Sequence, residues 1–357
     1  MSWCLFKYST RLKRFPHASH PYGGSPVWNR WCRSKLPRRL KVRPHYLYIP
    51  PASCKRSQRK MLQFSTGALL LLLPWFGGLV LGEVSSDFSK CLKFFYNRSP
   101  PQGINTALYQ PICQRYKNQY HFASLYNREH RTPLYSAYTL GPADGGRPKI
   151  LWMYEPQLVS PSASTEMTPF KQWFDKNVFN TQAVLQDYCG SGFTKGHLNP
   201  SMHQKTKENR EATFTLTNIV PQKKSSNNGP WSRLESEVKG NFTVFCKGPM
   251  YVITGALPYL KRKRLINNRV SVPEYMWSAY CCPSYKSEPN PPFLPTYAAV
   301  GRNDPDSGEE VVKIDQDASP SVKGYDVKRM SLTALEVILR QRLRMPEIIL
   351  FDGQCRK

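Results

Sequence analysis

The chain of 357 residues carries 51 Lys and Arg residues against 24 Asp and Glu residues, which gives a formal net charge of +27 at pH 7. Fifteen of the basic residues lie in 1–60, a segment without acidic residues or apolar periodicity, and this excludes it from a packed core. The remaining residues keep a charge of +12, which favours a polyanionic partner such as nucleic acid or an acidic membrane surface. Ordinary solubility charge is the alternative interpretation.

An apolar run follows Met61 and ends at Gly82. It is too short and too interrupted for a membrane span, basic residues precede it, and small residues near its end suit a signal peptidase. We therefore predict a signal peptide at 61–82, a mature chain that begins near Glu83, secretion, and no stable membrane insertion after cleavage. Residues 1–60 are then an unstructured basic extension upstream of the true translation start. Two alternatives stay open, namely an Arg-rich transit peptide for a mitochondrial protein and the cytoplasmic flank of an uncleaved anchor.

Seven cysteines follow the predicted signal peptide, and their spacing is not that of a metal site. In an exported chain this pattern favours disulfides over zinc, and the odd number leaves one thiol over. The most local pairing is Cys91 with Cys113. The sequons that begin at Asn97 and Asn241 predict a glycoprotein.

No repeat or long linker divides the mature chain, so we predict a single domain over 88–355. In chain order, the alternating aromatic segments 118–126 and 134–140 predict a β-hairpin, and further strands are predicted at 149–154, 214–220, 251–255 and 270–282. Helices are predicted at 168–185, 230–239 and 331–343, the last with Thr333 and Glu336 as a candidate capping box. Strands mixed with a few helices, without a regular βαβ rhythm, predict an α+β fold.

The segment 193–235 concentrates polar residues at positions where a strand, a second strand and a helix would meet. Gly196 allows a close backbone approach before His197, and the predicted strand 214–220 would deliver Asn218 at its edge. Proline at position 230 is favoured as the first residue of a helix. About two helical turns separate Asn227 from Glu235, so both can face one side.

These residue types suit hydrolysis of a phosphodiester. A neutral histidine can accept a proton from water at pH 7. A hard cation such as Mg²⁺ needs few protein ligands, because it keeps most of its waters, and an asparagine carbonyl is a suitable ligand. Each residue also has a structural alternative: a buried or surface histidine, a turn and helix cap at 227–229, and a solvated helix position at 235.

At 193–235 the chain resembles the DNA/RNA non-specific endonucleases of the ββα-metal superfamily, and among them the secreted endonuclease domain-containing 1 group. The resemblance implies a ββα-metal nuclease fold with a mixed or antiparallel sheet and flanking helices. It also implies hydrolysis of DNA and RNA with Mg²⁺, or with another divalent cation such as Mn²⁺. In the implied roles, His197 is the general base, Asn227 is the metal ligand, Glu235 holds metal-bound water and Asn218 orients the site.

The chain departs from the family in the motif before the histidine, which is usually Asp-Arg-Gly-His and here begins with Thr194 and Lys195. Lys195 keeps a positive charge for catalysis and nucleic-acid binding, but it lacks the bidentate fork of arginine. Thr194 lacks a carboxylate that could brace its neighbours. Lys239, one turn past Glu235, is the residue expected to compensate by binding nucleic acid.

Two functional hypotheses follow from this departure. The first is an active secreted endonuclease. The second is a catalytically weakened member of the family that binds nucleic acid or another extracellular polyanion. The basic run 261–264 is a solvated loop, a further phosphate contact, which a steep salt dependence of binding would reveal, or a basic protease site.

Overall fold

The computed structural model describes residues 84–104, 106–171, 174–284, 286, 297–308 and 311–355. These residues lie within one compact unit that runs from Trp75 to Lys357. The predicted extension 1–60 and the predicted signal peptide 61–82 lie outside the described residues. Within the described ranges, no helix has the length and apolar character needed to cross a membrane.

The described part of the chain contains thirteen strands and six helices. The strands are β1 (Gln110–Tyr116), β2 (Gln119–Asn127), β3 (Thr132–Leu140), β4 (Met153–Tyr154), β5 (Thr168–Pro169), β6 (Thr194–His197), β7 (Ile219–Gln222), β8 (Met250–Pro258), β9 (Leu265–Ile266), β10 (Val270–Ser271), β11 (Pro273–Cys281), β12 (Tyr297–Arg302) and β13 (Val327–Met330). The helices are α1 (Val178–Thr181), α2 (Leu185–Tyr188), α3 (Lys207–Ala212), α4 (Lys224–Asn227), α5 (Pro230–Phe245) and α6 (Leu332–Leu343).

A seven-stranded antiparallel sheet forms the centre of the unit, in the order β1-β2-β3-β8-β11-β12-β13. The predicted hairpin is confirmed, with β2 paired to β3 and Ala123 opposite Ala137. The predicted strand 251–255 lies inside β8, and 270–282 contains β10 and β11. Strands β8 and β11 are buried on both faces of the sheet, which their apolar and aromatic residues allow.

The two faces of the sheet support two cores. Val252 and Ile253 are neighbours in β8, and they enter different cores because successive side chains of a strand point to opposite faces. The first core contains Trp277 and is covered by α6 with Leu335. The second core contains Trp231 of α5 and carries the candidate site. Helices flanking an antiparallel sheet make this an α+β fold, as predicted.

Three disulfides cross-link the unit: Cys91–Cys113, Cys246–Cys282 and Cys281–Cys355. The first is the predicted local pair. The remaining cysteine, Cys189, is an exposed free thiol, which agrees with the odd count. The last two bridges tie α5 and the C-terminal segment to the end of β11, and so to the central sheet.

Helix α6 confirms the prediction for 331–343, but the proposed capping box is wrong. Ser331 is the N-cap, and its Oγ accepts a hydrogen bond from the Ala334 amide at 3.2 Å. Glu336 instead accepts a hydrogen bond from the Leu350 amide at 2.8 Å. The carboxylate is therefore used for a long-range contact with the C-terminal segment.

The single helix predicted at 168–185 is also wrong. Strand β5 takes the first residues of that segment, and only α1 and the beginning of α2 are helical. The rings of Phe170 and Phe174 pack on Tyr154, with centroid distances of 5.0 and 6.2 Å. The aromatic residues therefore follow a local cluster and not one face of a helix. The strand predicted at 149–154 shortens to β4, which pairs with β5.

A small antiparallel hairpin, β6 with β7, is followed by α4 and α5, which gives the ββα order. The strand predicted at 214–220 is wrong in its position: residues 216–218 form a 3₁₀ turn, and β7 begins at Ile219. The reason is the side chain of Asn218, whose Nδ2 donates to the Thr213 carbonyl at 3.0 Å and closes the turn. The helix predicted at 230–239 is confirmed and extends to Phe245.

Candidate active site

Strand β6 brings its motif residues against β7 through a close contact at Gly196. A Cβ atom at this position would lie 2.6 Å from the Cβ of Gln222, so only glycine fits without moving the neighbouring strand. The register places His197 opposite Ile219 at the end of the hairpin. The glycine in the motif therefore fixes where the histidine enters the site.

His197 is buried and its Nε2 has no hydrogen-bond partner among the described residues. Its ring packs between Trp152 and Phe214, with centroid distances of 5.3 and 5.2 Å. Burial, together with the positive charges of Arg147 and Lys195, lowers the pKa of His197 to about 3. The imidazole is therefore neutral at pH 7, with Nε2 buried and unpaired among the described residues and the residue itself lining the cleft.

Asn227 ends α4 and faces the same cleft as His197. Its Nδ2 donates to the Thr194 hydroxyl at 3.0 Å, and that hydroxyl donates to the Gln222 carbonyl at 2.8 Å. Thr194 thus orients the amide, and Oδ1 has no donor among the described side chains. The threonine that replaces the family's aspartate still braces the asparagine.

Glu235 lies two turns along α5 and also lines the cleft. Burial raises the pKa of Glu235 to about 8, while the charge of Arg147 opposes this shift. The backbone carbonyl of Glu235 accepts a hydrogen bond from His203 Nε2 at 2.8 Å, and His203 Nδ1 accepts one from the Tyr138 hydroxyl at 2.9 Å. This pair of contacts ties the glutamate's turn of helix to β3 of the central sheet.

Two cations line the cleft beside these groups. The Nζ of Lys195 lies 5.5 Å from the ring centroids of both Trp152 and Tyr188, and burial lowers its pKa. Arg147 is exposed, and its guanidinium lies 4.9 Å from the Phe214 centroid. With a single carboxylate in the lining, the cleft suits an anionic ligand.

The loop that carries Arg147 is anchored to α3. The Asp144 amide donates to the Lys205 carbonyl at 3.2 Å, and the Asp144 carboxylate forms an ion pair with Arg210. Arg147 is not predicted from the sequence, because its loop lies some fifty residues before the histidine and matches no motif. Its only signal is a cation after two glycines, shortly before the aromatic residue Trp152.

Asn218 does not line the cleft. It is fully buried behind the hairpin, and all of its side-chain capacity is used. Oδ1 accepts hydrogen bonds from the Ser136 hydroxyl and the Asn199 amide, both at 3.0 Å. Nδ2 donates to the carbonyls of Asn199 and Thr213. These contacts make Asn218 a positioning residue for the segment that follows His197.

The structure therefore brings four of the six predicted site residues into one cleft of about 490 Å³ and leaves two outside it. His197, Lys195, Asn227 and Glu235 line the cleft. Asn218 lies behind it, and Lys239 does not appear in its wall. Lys239 lies one turn beyond Glu235, where its charge acts on His203 and not on the cleft.

The donor groups in the cleft fit a hard divalent cation. They are an amide oxygen whose orientation Thr194 fixes and the carboxyl group of Glu235, which its raised pKa leaves mostly protonated at pH 7 in the free protein and which a bound cation would ionise. Among the described residues there is no cluster of three or more His, Cys, Asp or Glu side chains around a point. Such a sparse donor set is suited to a cation that keeps most of its waters, and the cleft has room for them.

A neutral histidine on a β-hairpin, oxygen donors at a following helix and two cations define the class of ββα-metal sites. The model of the DNA/RNA non-specific endonuclease family matches residues 100–316. The chain therefore belongs to the DNA/RNA non-specific endonuclease family. The family implies dependence on a divalent metal.

Individual relatives agree with this family. The chain is similar to the endonuclease domain-containing 1 protein of Homo sapiens, with 33% identity over 60% of this chain and 43% of that protein. It is similar to a nuclease of Nostoc sp., with 26% identity over 59% of this chain and 71% of that protein. A third relative is the mitochondrial nuclease EXOG of Xenopus laevis, with 32% identity over 46% of each chain. The chain thus spans less than half the length of the human relative that it matches.

Proposed function

We propose that this chain is a secreted, metal-dependent endonuclease that hydrolyses phosphodiester bonds of DNA and RNA. The observation that carries the proposal is the meeting, in one cleft, of an unpaired neutral imidazole at His197, an oriented amide oxygen at Asn227 and the cations of Lys195 and Arg147. The family membership supports the same activity.

His197 is the group that would take a proton from the attacking water. Its low pKa in the free protein has burial as its main cause and the two neighbouring cations as further causes. A bound phosphodiester carries a negative charge that offsets Arg147 and Lys195, and this strengthens the base when the substrate is present. The aromatic rings of Trp152 and Phe214 hold the imidazole in place, since none of the described residues bonds to its Nε2.

The phosphate would lie against the cations, while Asn227 and Glu235 face the metal. A Mg²⁺ or Mn²⁺ ion held by Asn227, with Glu235 bonded to one of its waters, would neutralise the phosphate and stabilise the leaving oxygen. Thr194 keeps the Asn227 amide oxygen turned toward that position. Asn218 positions the backbone that follows His197.

We expect the enzyme to discriminate neither between DNA and RNA nor between base sequences, because of the groups that line the cleft. Lys195 and Arg147 are suited to phosphate, which DNA and RNA share, and phosphate contacts carry no sequence information. A cleft that recognises the backbone in this way would accept both nucleic acids. Protein partners are not part of the proposal.

Secretion is proposed together with a single domain over 88–355, glycosylation at Asn97 and Asn241, and removal of 61–82. The three disulfides support an oxidising compartment. The mitochondrial location in the name of the Xenopus relative supports the alternative. Mass spectrometry of the mature N-terminus and of attached glycans distinguishes them: a start near Glu83 with glycans supports secretion, and cleavage elsewhere without glycans contradicts it.

The activity is tested by incubating the secreted protein with plasmid DNA and with RNA, in Mg²⁺ and in EDTA. We expect cleavage of both substrates in Mg²⁺ and none in EDTA. Cleavage that persists in EDTA contradicts the metal dependence, and the absence of cleavage in Mg²⁺ and in Mn²⁺ contradicts the nuclease proposal.

The second candidate is a weakened enzyme that binds nucleic acid or another extracellular polyanion. The observation that favours it is Lys195, whose ammonium lies between two aromatic rings and offers no bidentate fork. The positive cleft would then still bind polyanions. Salt-sensitive DNA binding without metal-dependent cleavage is the result that would select it.

A further inference from the structure

The loop between β8 and β9 carries four consecutive cations at 261–264, and all four are exposed. Two of them are neutralised locally: Lys263 pairs with Glu129 at 3.1 Å and Arg264 with Asp304 at 2.9 Å. In the described parts of the chain, no acidic group pairs with Lys261 or Arg262. The loop therefore presents two free cations to solvent.

One aromatic ring connects this loop with the catalytic cleft. The guanidinium of Arg264 lies 5.5 Å from the Phe193 ring centroid, and the Nζ of Lys223 lies 4.4 Å from it. Phe193 directly precedes Thr194 and Lys195, which line the cleft. A series of cations, Lys223 and Arg264 on the ring of Phe193, thus lies between the strand that carries Lys195 and the exposed loop.

Nearby carboxylates do not interrupt this series. Asp304 and Glu129 are already engaged with Arg264 and Lys263, and the buried Asp187 pairs with Arg269 at 2.9 Å. A solvated charged loop needs no such continuity with a phosphate-binding cleft. A polymer with a regularly repeated negative charge is the ligand that several aligned cations fit.

We propose that Lys223, Lys261 and Arg262 form a phosphate-binding strip that holds the nucleic-acid backbone as it leaves the catalytic cleft. The proposal rests on the proposed function of the cleft and adds a second contact region to it. Because the strip lies beyond the reacting groups, it acts on affinity for long substrates and leaves the chemical step unchanged. An acidic membrane is the other surface that basic residues flanked by Leu260 and Leu265 could contact.

The test compares two double variants of the full chain that each remove two positive charges. Lys261→Gln/Arg262→Gln changes the strip. Lys328→Gln/Arg340→Gln is the matched control, because both residues are exposed and lie on β13 and α6, away from the face that carries α5. Binding of a long DNA duplex is measured in EDTA over a range of salt concentrations. Cleavage in Mg²⁺ is measured with the long duplex and with a trinucleotide.

We expect the strip variant to reduce the slope of log affinity against log salt by about two, while the control leaves the slope near that of the wild type. The affinity advantage of the wild type over the strip variant should then shrink about tenfold between about 50 and 200 mM salt. KM for the long duplex should rise in the strip variant, with kcat unchanged, and cleavage of the trinucleotide should not change.

Equal slopes for the two variants would overturn the strip, because total charge would then explain the effect. Binding of both variants to phosphatidylserine vesicles is measured as well. If the strip variant loses vesicle binding while its DNA binding is unchanged, the strip is also overturned. The strip and the nuclease activity of the cleft can fail independently of each other. If the wild type cleaves DNA but the strip variant keeps the wild-type salt slope, the strip alone is rejected. If the strip variant lowers the salt slope but the wild type does not cleave, the strip is supported and the nuclease activity is rejected.

Discussion

On the sheet side of the β6–β7 hairpin, His203 uses both ring nitrogens, whereas on the cleft side His197 leaves Nε2 without a partner among the described residues. The same contrast separates two asparagines. Asn218 makes four side-chain hydrogen bonds on the sheet side, and Asn227 makes one on the cleft side. Both histidines are buried and neutral, so burial alone does not distinguish a structural from a functional residue.

The two sides differ in how many hydrogen bonds their buried polar side chains make. On the sheet side, partners from β3 such as Ser136 and Tyr138 satisfy the buried groups and add stability. On the cleft side, aromatic rings hold His197 and a single hydrogen bond from Thr194 holds Asn227. Mutations should therefore separate the two sides, with stability lost on one and activity lost on the other.

The largest expected effect is that of Asn227→Ala on the cleft side. We expect kcat/KM to fall about a thousandfold, because the metal-facing oxygen is lost, and the Mg²⁺ concentration needed for half-maximal activity to rise. The matched control is Asn228→Ala, since Asn228 is the exposed neighbour and lines the same cleft. Equal losses in the two variants would contradict the assignment of Asn227.

On the sheet side, Asn218→Ala should destabilise the protein by about 3 kcal/mol, because it leaves several buried groups unpaired. Urea unfolding in EDTA measures this loss. Asn177→Ala, which truncates an exposed asparagine, should change the free energy of unfolding by less than about 0.5 kcal/mol. A small loss of stability with a large loss of activity would show that Asn218 acts in catalysis and not in stabilising the fold.

Because the pKa of His203 is lowered in the folded protein, we expect the stability to depend on pH. Burial lowers the pKa of His203 to about 4, below the unfolded value near 6.5, so the folded state binds fewer protons between these values. Its contribution of about 3 kcal/mol is present above pH 6.5 and is lost as the pH falls toward 4.

The measurement for His203 is the free energy of unfolding from pH 7 to pH 4 for the wild type and for His203→Gln. His197 titrates in the same direction, so the readout is the difference between the two curves. That difference should narrow as the pH falls. A constant difference would show that His203 is not held neutral by the fold.

The smallest effect is expected at Thr194. Thr194→Val removes the hydroxyl that orients Asn227, and kcat/KM should fall about tenfold. Thr194→Ser and Thr194→Asp keep an oxygen that accepts from the Asn227 amide, so their rates should stay near that of the wild type. A many-fold higher rate for Thr194→Asp would instead show that the threonine weakens the site.

The sequence predicts the site better than its surroundings, for identifiable reasons. His197, Asn227 and Glu235 lie close together in the chain, and local geometry carries them into one cleft. The hairpin of β2 and β3 follows from local alternation in the same way. Arg147 escapes prediction, because a loop anchored by the pair of Asp144 and Arg210 delivers it from a distant segment.

The errors have a common physical cause, which is that long-range contacts override local patterns. The segment 168–185 follows an aromatic cluster centred on Tyr154 and not its own helical tendency. Glu336 satisfies the Leu350 amide and not its own helix end. Asn218 closes a 3₁₀ turn through Thr213, so the strand starts after it.

The most direct test of the difference between the cleft side and the sheet side is plasmid cleavage by His197→Ala, measured together with the free energy of unfolding of this variant. We predict that kcat/KM falls by about two to four orders of magnitude while the protein stays folded, with a loss of stability of about 1–3 kcal/mol from the packing on Trp152 and Phe214. Retained cleavage would contradict the role of His197 as the base. Loss of folding in proportion to loss of activity would show that His197 belongs with His203 among the structural histidines.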